Sequence, residues 1–162
     1  MNTNVFGTLQ VTQAFLPQFR ARKAGTIINV SSSVTLKPIP LVGMYRASKA
    51  ALNAWTESLA IEAKPFGIRV HIVLPGRSPE TQFGQNARSF MYGQDDPDYG
   101  EMVQSVVASM LNSTKAVTHA EDVANAIWTV ATETKSPLYT VAGADSQEWL
   151  EEAVANPVFI SS

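Results

Sequence analysis

Three short β-branched runs, TIINV (26–30), IRVHIVL (68–74) and LYTVAG (138–143), are separated by helix-length stretches, and this alternation limits the fold more than any other feature. Strands that alternate with helices imply βαβ units, parallel pairing and right-handed crossovers. Residues 1–23 carry Val5, Leu9, Val11, Phe15, Leu16 and Phe19 at mixed three- and four-residue spacings, which predicts a helix that Pro17 kinks or cuts late. An alanine-rich segment from Gly43 to Lys64 predicts a second helix, stopped before Pro65 and Gly67. A helix over Tyr99 to Leu111 is expected after a polar, irregular stretch at 77–100. Thr118 with Glu121 forms a capping-box pattern for a helix ending near Thr132, and Asp145 with Glu148 is placed to cap a last one. The class is α/β, a single domain over 1–162 with a three-stranded parallel sheet and flanking helices. Three strands are few, because parallel sheets normally bury both faces and contain several more.

Composition narrows the partners. The chain has 162 residues, 45% of them hydrophobic, enough for one core. A formal net charge of −2 gives no basic field for nucleic acid or an anionic membrane. Without cysteine there is no disulfide framework and no thiolate metal site, which fits a reducing compartment. The start, MNTNVFGTLQ, lacks the layout of a secretory signal, and no apolar run reaches the roughly 20 residues of a membrane span. A cytoplasmic protein is expected, without nucleic-acid partner or membrane segment.

The chemistry is concentrated in SVTLKPIPLVGMYRASKA, after the first strand. If a helix begins at Gly43, Tyr45 and Lys49 are i and i+4, about 40° apart around the axis and about 6 Å along it, so both face one cleft. A phenol titrates near 10, and a nearby ammonium favours the phenolate. Bringing it to about 7 needs roughly 4 kcal/mol, within reach of a lysine plus a second positive charge. Ser32 follows a strand end, where open α/β sheets bind ligands, and its hydroxyl can hold a substrate oxygen. Blander roles suit the neighbours. Ser31 and Ser33 are read as strand-end filler, and Leu52, Trp55 and Leu59 as packing on one helical face. His71 alternates with Ile and Val and is expected to point away from the core, while His119 is structural in the first turn of a capped helix. Asp95, Asp96 and Asp98 form a solvated turn rather than a calcium loop. Phe83, Phe90, Met91 and Tyr92 line an apolar pocket or cover the sheet.

NVFGT (4–8), GTIINVSSSV (25–34), YRASKAAL (45–52), FGIRVHIVLPG (66–76) and LYTVAGAD (138–145) resemble the short-chain dehydrogenase/reductase family over nearly the whole chain. The resemblance implies a partial Rossmann-type doubly wound sheet and interconversion of an alcohol with a ketone or aldehyde, using NAD or NADP. It implies Tyr45 as general acid/base, Lys49 as the residue that lowers its pKa and binds the nicotinamide ribose, and Ser32 as the holder of the substrate oxygen. Asn4 would hold a water linking Lys49 to a proton relay. Pro75, Gly76 and Ser78 would border the nicotinamide, and residues 77–112 would shape the pocket for a small-molecule alcohol or carbonyl. Helices over 1–20 and 43–64 pair across a dimer in full-length relatives, which implies a homo-oligomer.

Two departures qualify it. The family pattern places a threonine five residues after the proline, whereas position 80 is Glu and the threonine is Thr81. No G-x-x-x-G-x-G occurs in the sequence, so the phosphate-binding loop that precedes this part of the family fold is not represented. At about 30 residues per βαβ unit, roughly a hundred residues and the first four strands of the family sheet are missing. Cofactor binding by this chain alone is therefore expected to be deficient. The leading reading is a nicotinamide-dependent oxidoreductase chain carrying the C-terminal, catalytic half. The alternative is a catalytically silent chain that associates through its helices. A serine/lysine hydrolase using Ser32 and Lys49 lacks both a G-x-S-x-G elbow and a partner histidine in suitable context.

Overall fold

The structure, a computed structural model, describes residues 1–88, 96–111 and 115–157. Its sheet has three parallel strands in the order β1 (Gly25–Val30), β2 (Ile68–Pro75) and β3 (Tyr139–Ala142). The register runs from Gly25 opposite Ile68 to Val30 opposite Val73, and from Ile72 opposite Tyr139 to Pro75 opposite Ala142. A π-helical turn (Asn2–Gly7) leads into α1 (Thr8–Arg22), and α2 (Gly43–Ala63) connects β1 to β2. After β2 come α3 (Phe83–Arg88), α4 (Gly100–Leu111) and α5 (Ala120–Thr132), and α6 (Ala144–Ala155) follows β3. Among the described residues no helix is long and apolar enough to cross a membrane.

β2 is the middle strand and is buried along nearly its whole length, through Ile68, Val70, His71, Ile72, Val73 and Leu74. A strand covered on both faces reads as a continuous apolar run rather than an alternating one. Leu59 and Ala63 of α2 pack on Ile68 and Val70, with Leu16, Phe19, Ile27, Trp55 and Phe66 around them. Leu52, Trp55 and Leu59 therefore serve as packing, as expected. Arg69 ties α5 to the sheet. Its guanidinium donates to the carbonyls of Val130 (3.0 Å), Ala131 (2.8 Å) and Glu133 (2.9 Å), and to Thr26 Oγ1 (2.8 Å). A cation on the last, unsatisfied carbonyls of a helix also meets the negative end of its dipole.

Several expectations need correction. Pro17 does not end the first helix, which continues to Arg22 before Lys23 turns left-handed at φ 52°. His71 does not face solvent: it is 4% exposed, and its Nδ1 lies 2.8 Å from the Pro137 carbonyl. Alternation along β2 marks no wet face because both faces are covered. α5 is preceded by His119 rather than Thr118, and the His119 N–H donates to the Asp122 carboxylate at 2.8 Å. α6 is preceded by Gly143, and Asp145 lies inside it without capping it. α3 falls within a stretch read as irregular. In the acidic turn, Asp96 Oδ1 accepts from the N–H groups of Asp98 (2.9 Å) and Tyr99 (3.0 Å). Asp95, Phe90, Met91 and Tyr92 lie outside the described residues.

Gly67 turns the chain into β2 at φ 67°, and a Cβ there would sit 2.4 Å from the Lys23 carbonyl oxygen. Gly43, at the start of α2, has open space around it. Gly67→Ala should lower the unfolding free energy by at least about 1 kcal/mol, the scale of a forced left-handed alanine. Gly43→Ala should leave it unchanged or slightly higher. Denaturant melts of the two variants measure the difference, and equal midpoints would contradict it.

Candidate active site

Ser32 is singled out by the geometry of the strand end. The Ser31 N–H extends the ladder by donating to Val73 O at 2.8 Å, and its hydroxyl donates to Lys49 O at 3.4 Å. Ser31 and Ser33 are both buried, whereas Ser32 between them is half-buried with extended backbone (φ −165°, ψ 146°). Ser32 Oγ accepts from Val34 N–H at 3.2 Å at the start of a tight turn over Ser33–Thr35. Arg46 of α2 donates to Val34 O (3.2 Å) and Thr35 O (3.4 Å), and Asn53 donates to Thr35 Oγ1 (3.2 Å). Three bonds from α2 thus fix the serine-bearing turn against the helix that carries Tyr45.

Tyr45 lies in the first turn of α2, half-buried, with the Phe83 ring 5.5 Å away and tilted by 52°. Ser32 stands near enough to Tyr45 for its hydroxyl to act on the phenol. Since Ser32 Oγ already accepts from Val34, its proton is available to the phenol oxygen. Lys49 follows one turn along the same face, and its Nζ donates to Val30 O at 3.0 Å. Asn4 sits in the π-helical turn, a geometry that recurs at functional positions. Its Nδ2 donates to Ser48 Oγ at 3.1 Å, and the Ser48 hydroxyl donates to Tyr45 O at 2.7 Å. Asn4 is therefore connected to the Tyr45–Lys49 turn through Ser48, a residue that carries no separate signal in the sequence.

Burial pushes the Tyr45 phenol above its ordinary range, and the neighbouring Ser32 hydroxyl pulls it part of the way back. Burial also draws the Lys49 ammonium below its usual value. That ammonium is turned to the Val30 carbonyl, so in the chain by itself it does not offset the effect of burial on the phenol. The chain's own residues leave Tyr45 protonated at neutral pH, the form that gives a proton to an oxygen.

Because the strands are parallel, the chain leaves β1 and β2 at the same edge of the sheet, so Ser32 and the segment Pro75, Gly76 and Ser78 emerge together. Pro75, Gly76 and Ser78 are all half-buried. The Glu80/Thr81 departure has a structural counterpart. Glu80 pairs with His119 Nδ1 at 2.9 Å, and the Thr81 hydroxyl donates back to Ser78 O at 2.8 Å. A cavity of about 420 Å³ lies nearby, lined in part by Lys37, Arg77, Val106, Asp145 and Trp149. A larger cavity, about 690 Å³, lies beside β3 between α2 and α5, and none of Ser32, Tyr45 or Lys49 lines it. The reactive groups rather than the cavity size locate the site. Thr118 and Asp145, read as helix caps, are instead buried beside Gly76.

Comparison with known proteins identifies the family and the fold. The short chain dehydrogenase family model matches residues 1–92. A 3-ketodihydrosphingosine reductase from Bacteroides thetaiotaomicron is 33% identical over 160 residues, covering 94% of this chain and 59% of that protein. The uncharacterized oxidoreductase YusZ of Bacillus subtilis is 33% identical over 132 residues, covering 81% of this chain and 47% of that protein. Among solved structures, a short-chain dehydrogenase from Streptomyces avermitilis superposes with a TM-score of 0.75 at 30% identity, covering 94% of this chain and 54% of its own. A short chain dehydrogenase from Burkholderia cenocepacia in complex with NADP superposes with a TM-score of 0.70 at 25% identity, covering 96% of this chain and 54% of its own. The chain belongs to the short-chain dehydrogenase family, and its three-stranded sheet is part of that family's Rossmann fold. It spans about half the length of the relatives it matches.

The residues present fit the nicotinamide-ribose end of a dinucleotide. Lys49 has three ammonium donors and spends one on Val30 O, and Tyr45 stands on the same helix face. For the phosphate end the sequence offers no glycine-rich loop.

An ultraviolet difference titration of the wild type against Tyr45→Phe reads this phenol alone, and its midpoint should lie above about 10. A phenol that keeps its proton longer when folded stabilises the fold fully below about pH 10, and that stabilisation drains away as pH rises toward the folded-state value. A midpoint below 10 would return control of the phenol to a neighbouring cation.

Proposed function

We propose that the chain carries the catalytic side of a nicotinamide-dependent oxidoreductase that interconverts an alcohol and a ketone or aldehyde. The observation that carries this reading is that the Ser32 turn is braced by Arg46 and Asn53 against the helix that carries Tyr45, with Lys49 one helical turn farther along. In the reductive direction the protonated Tyr45 gives its phenolic proton to the carbonyl oxygen of the substrate. Ser32 holds that same oxygen, so charge developing on it meets two hydroxyl donors at once. As Tyr45 loses its proton, the Lys49 ammonium one turn along favours the phenolate, while Ser32 keeps its proton on the substrate oxygen and Asn4 steadies the turn through Ser48. NAD or NADP, when bound, supplies or accepts the hydride. Lys49 would hold its nicotinamide ribose, with Tyr45, Pro75, Gly76 and Ser78 around the ring. The NADP complex of the Burkholderia relative and the reductase name of the Bacteroides relative support this assignment.

Residues 77–112 serve as the substrate-binding region in this reading, within a single domain over 1–162. Ser105, Val106 and Ser109 of α4 line the 420 Å³ cavity against Lys37, Ile39 and Trp149, which supports it. Residues 89–95 and 112 of that region lie outside the described residues.

A second reading has its own observation. Phe6 (56% exposed), Val11 (61%) and Phe15 (52%) lie at the surface of the first helical segment, and Met44 and Ile61 on α2 are also exposed. This favours association through the helices at 1–20 and 43–64, either as a homo-oligomer of a working enzyme or as the whole role of a silent chain. Titration with NADPH and NADH, read by nicotinamide fluorescence, separates the two. Binding at millimolar dinucleotide or below supports the enzyme, and no response at that concentration supports the silent chain. If the chain turns over carbonyl substrates, Tyr45→Phe should lower kcat by about 10²–10⁴ with the melting transition unchanged. Comparable turnover in that variant would refute the acid/base role.

A further inference from the structure

The segment that leaves β2 beside the candidate site is held by two residues that no part of the proposed chemistry uses. The Gly76 N–H is shared between Thr118 Oγ1 at 3.0 Å and Ala142 O at 3.3 Å, and the Arg77 N–H donates to Asp145 Oδ2 at 2.6 Å. The Thr118 hydroxyl lies 2.6 Å from Asp145 Oδ1 and 2.9 Å from Ala142 O. One hydroxyl proton serves one acceptor, and the shorter, charge-assisted contact is the one to the carboxylate. In return the Thr118 N–H donates to Arg77 O at 2.8 Å. Thr118 is 0% exposed and Asp145 is 5% exposed. Three separate parts of the chain therefore converge: the exit of β2, the segment before α5 and the first turn of α6.

Position 76 is glycine for a reason beyond leaving a strand. A Cβ there would stand 2.3 Å from both Asp145 carboxylate oxygens. The carboxylate approaches the backbone so closely that only a residue without a side chain fits. A buried carboxylate needs donors, and Asp145 receives them from Thr118 and from the Arg77 amide, with the positive end of α6 behind it.

We propose that Thr118 and Asp145 are positioning residues: together they fix the Gly76–Arg77 peptide groups and so set the wall of the site formed by Pro75, Gly76 and Ser78. The inference rests on the active-site reading above and adds to it the device that aims this wall. It distinguishes conservative from disruptive substitutions. Thr118→Val removes the hydroxyl at equal size, and Asp145→Ala removes both acceptors. Thr118→Ser keeps the hydroxyl. In Asp145→Asn the amide oxygen can still accept from Arg77, while its NH₂ donates to a Thr118 hydroxyl that has swung to Ala142 O.

The test is site-resolved amide hydrogen exchange of the chain, followed by titration with NADPH. In the wild type, the Gly76 and Arg77 amides should exchange as slowly as Ile72, whose N–H bonds Leu138 O within the sheet. Fast exchange there would overturn the proposal without any variant. In Thr118→Val and Asp145→Ala the Arg77 amide should speed up about tenfold or more and the Gly76 amide, which keeps Ala142 O, by less, while Ser31 and Ile72 stay protected. Thr118→Ser and Asp145→Asn should remain near wild type. NADPH affinity should fall about three- to tenfold in the disruptive pair only, the scale of one lost hydrogen bond. Equal acceleration throughout the sheet would reduce the pair to general stability and overturn the positioning role, as would unchanged exchange at both amides. If the wild type does not bind NADPH, the cofactor reading fails for this chain, and the exchange contrast alone decides the pair.

Discussion

Parallel pairing on both sides of β2 is the constraint on which the rest depends. A strand with a neighbour along each edge and helices over each face has no solvent side, so it must be apolar throughout or satisfy its polar groups internally. Arg69 and His71 are the polar interruptions: Arg69 is met by carbonyls at the end of α5, and His71 by Pro137 O at Nδ1 while its Nε2 is buried without a partner. The same pairing sends all three strands in one direction. Chain exits that are far apart in sequence then share an edge of the sheet, and the reactive groups are gathered there without any long loop having to carry them.

Much of this was legible in the residues. The three strands, the long α2 and the placing of Tyr45 and Lys49 on one helix follow from β-branched runs, alanine-rich helix formers and a fixed spacing. The alternation of Ser31, Ser32 and Ser33 was enough to choose the middle serine, since the outer two turn inward. What escaped has a common physical cause. Thr118 and Asp145 each sit in a sequence pattern that suits a helix cap, and a cap is a contact over three residues. Their actual partners lie 27 residues away for Thr118 and Asp145, and 68 for Arg77 and Asp145. A buried charge-assisted bond outweighs an exposed cap, and no local pattern reveals it. His71 was misread for a related reason, because period-two alternation identifies a wet face only where the sheet has one. The six-residue α3 is too short for a periodic signal.

Tyr45 shows how a motif and its electrostatics separate. The spacing of Tyr45 and Lys49 places them on one face, but facing is not the same as pairing. An ammonium has three donors and a long stem, and it goes where an acceptor is unmet. Burial acts on both groups in the direction of neutrality, raising the phenol and lowering the amine. Ser32, with a short side chain on a braced turn, has less freedom. Of the expected members of the site, the serine is therefore the braced one, and the lysine is the adjustable one.

That adjustability has an origin in the sheet. Ser31 N–H points toward β2, so the carbonyl of Val30, one residue earlier, points to the opposite flank of β1. Lys49 satisfies a main-chain oxygen that a further strand laid along that flank would claim for its own amide. Edge pairing along that flank of β1 and the posture of the ammonium would thus compete for a single oxygen atom.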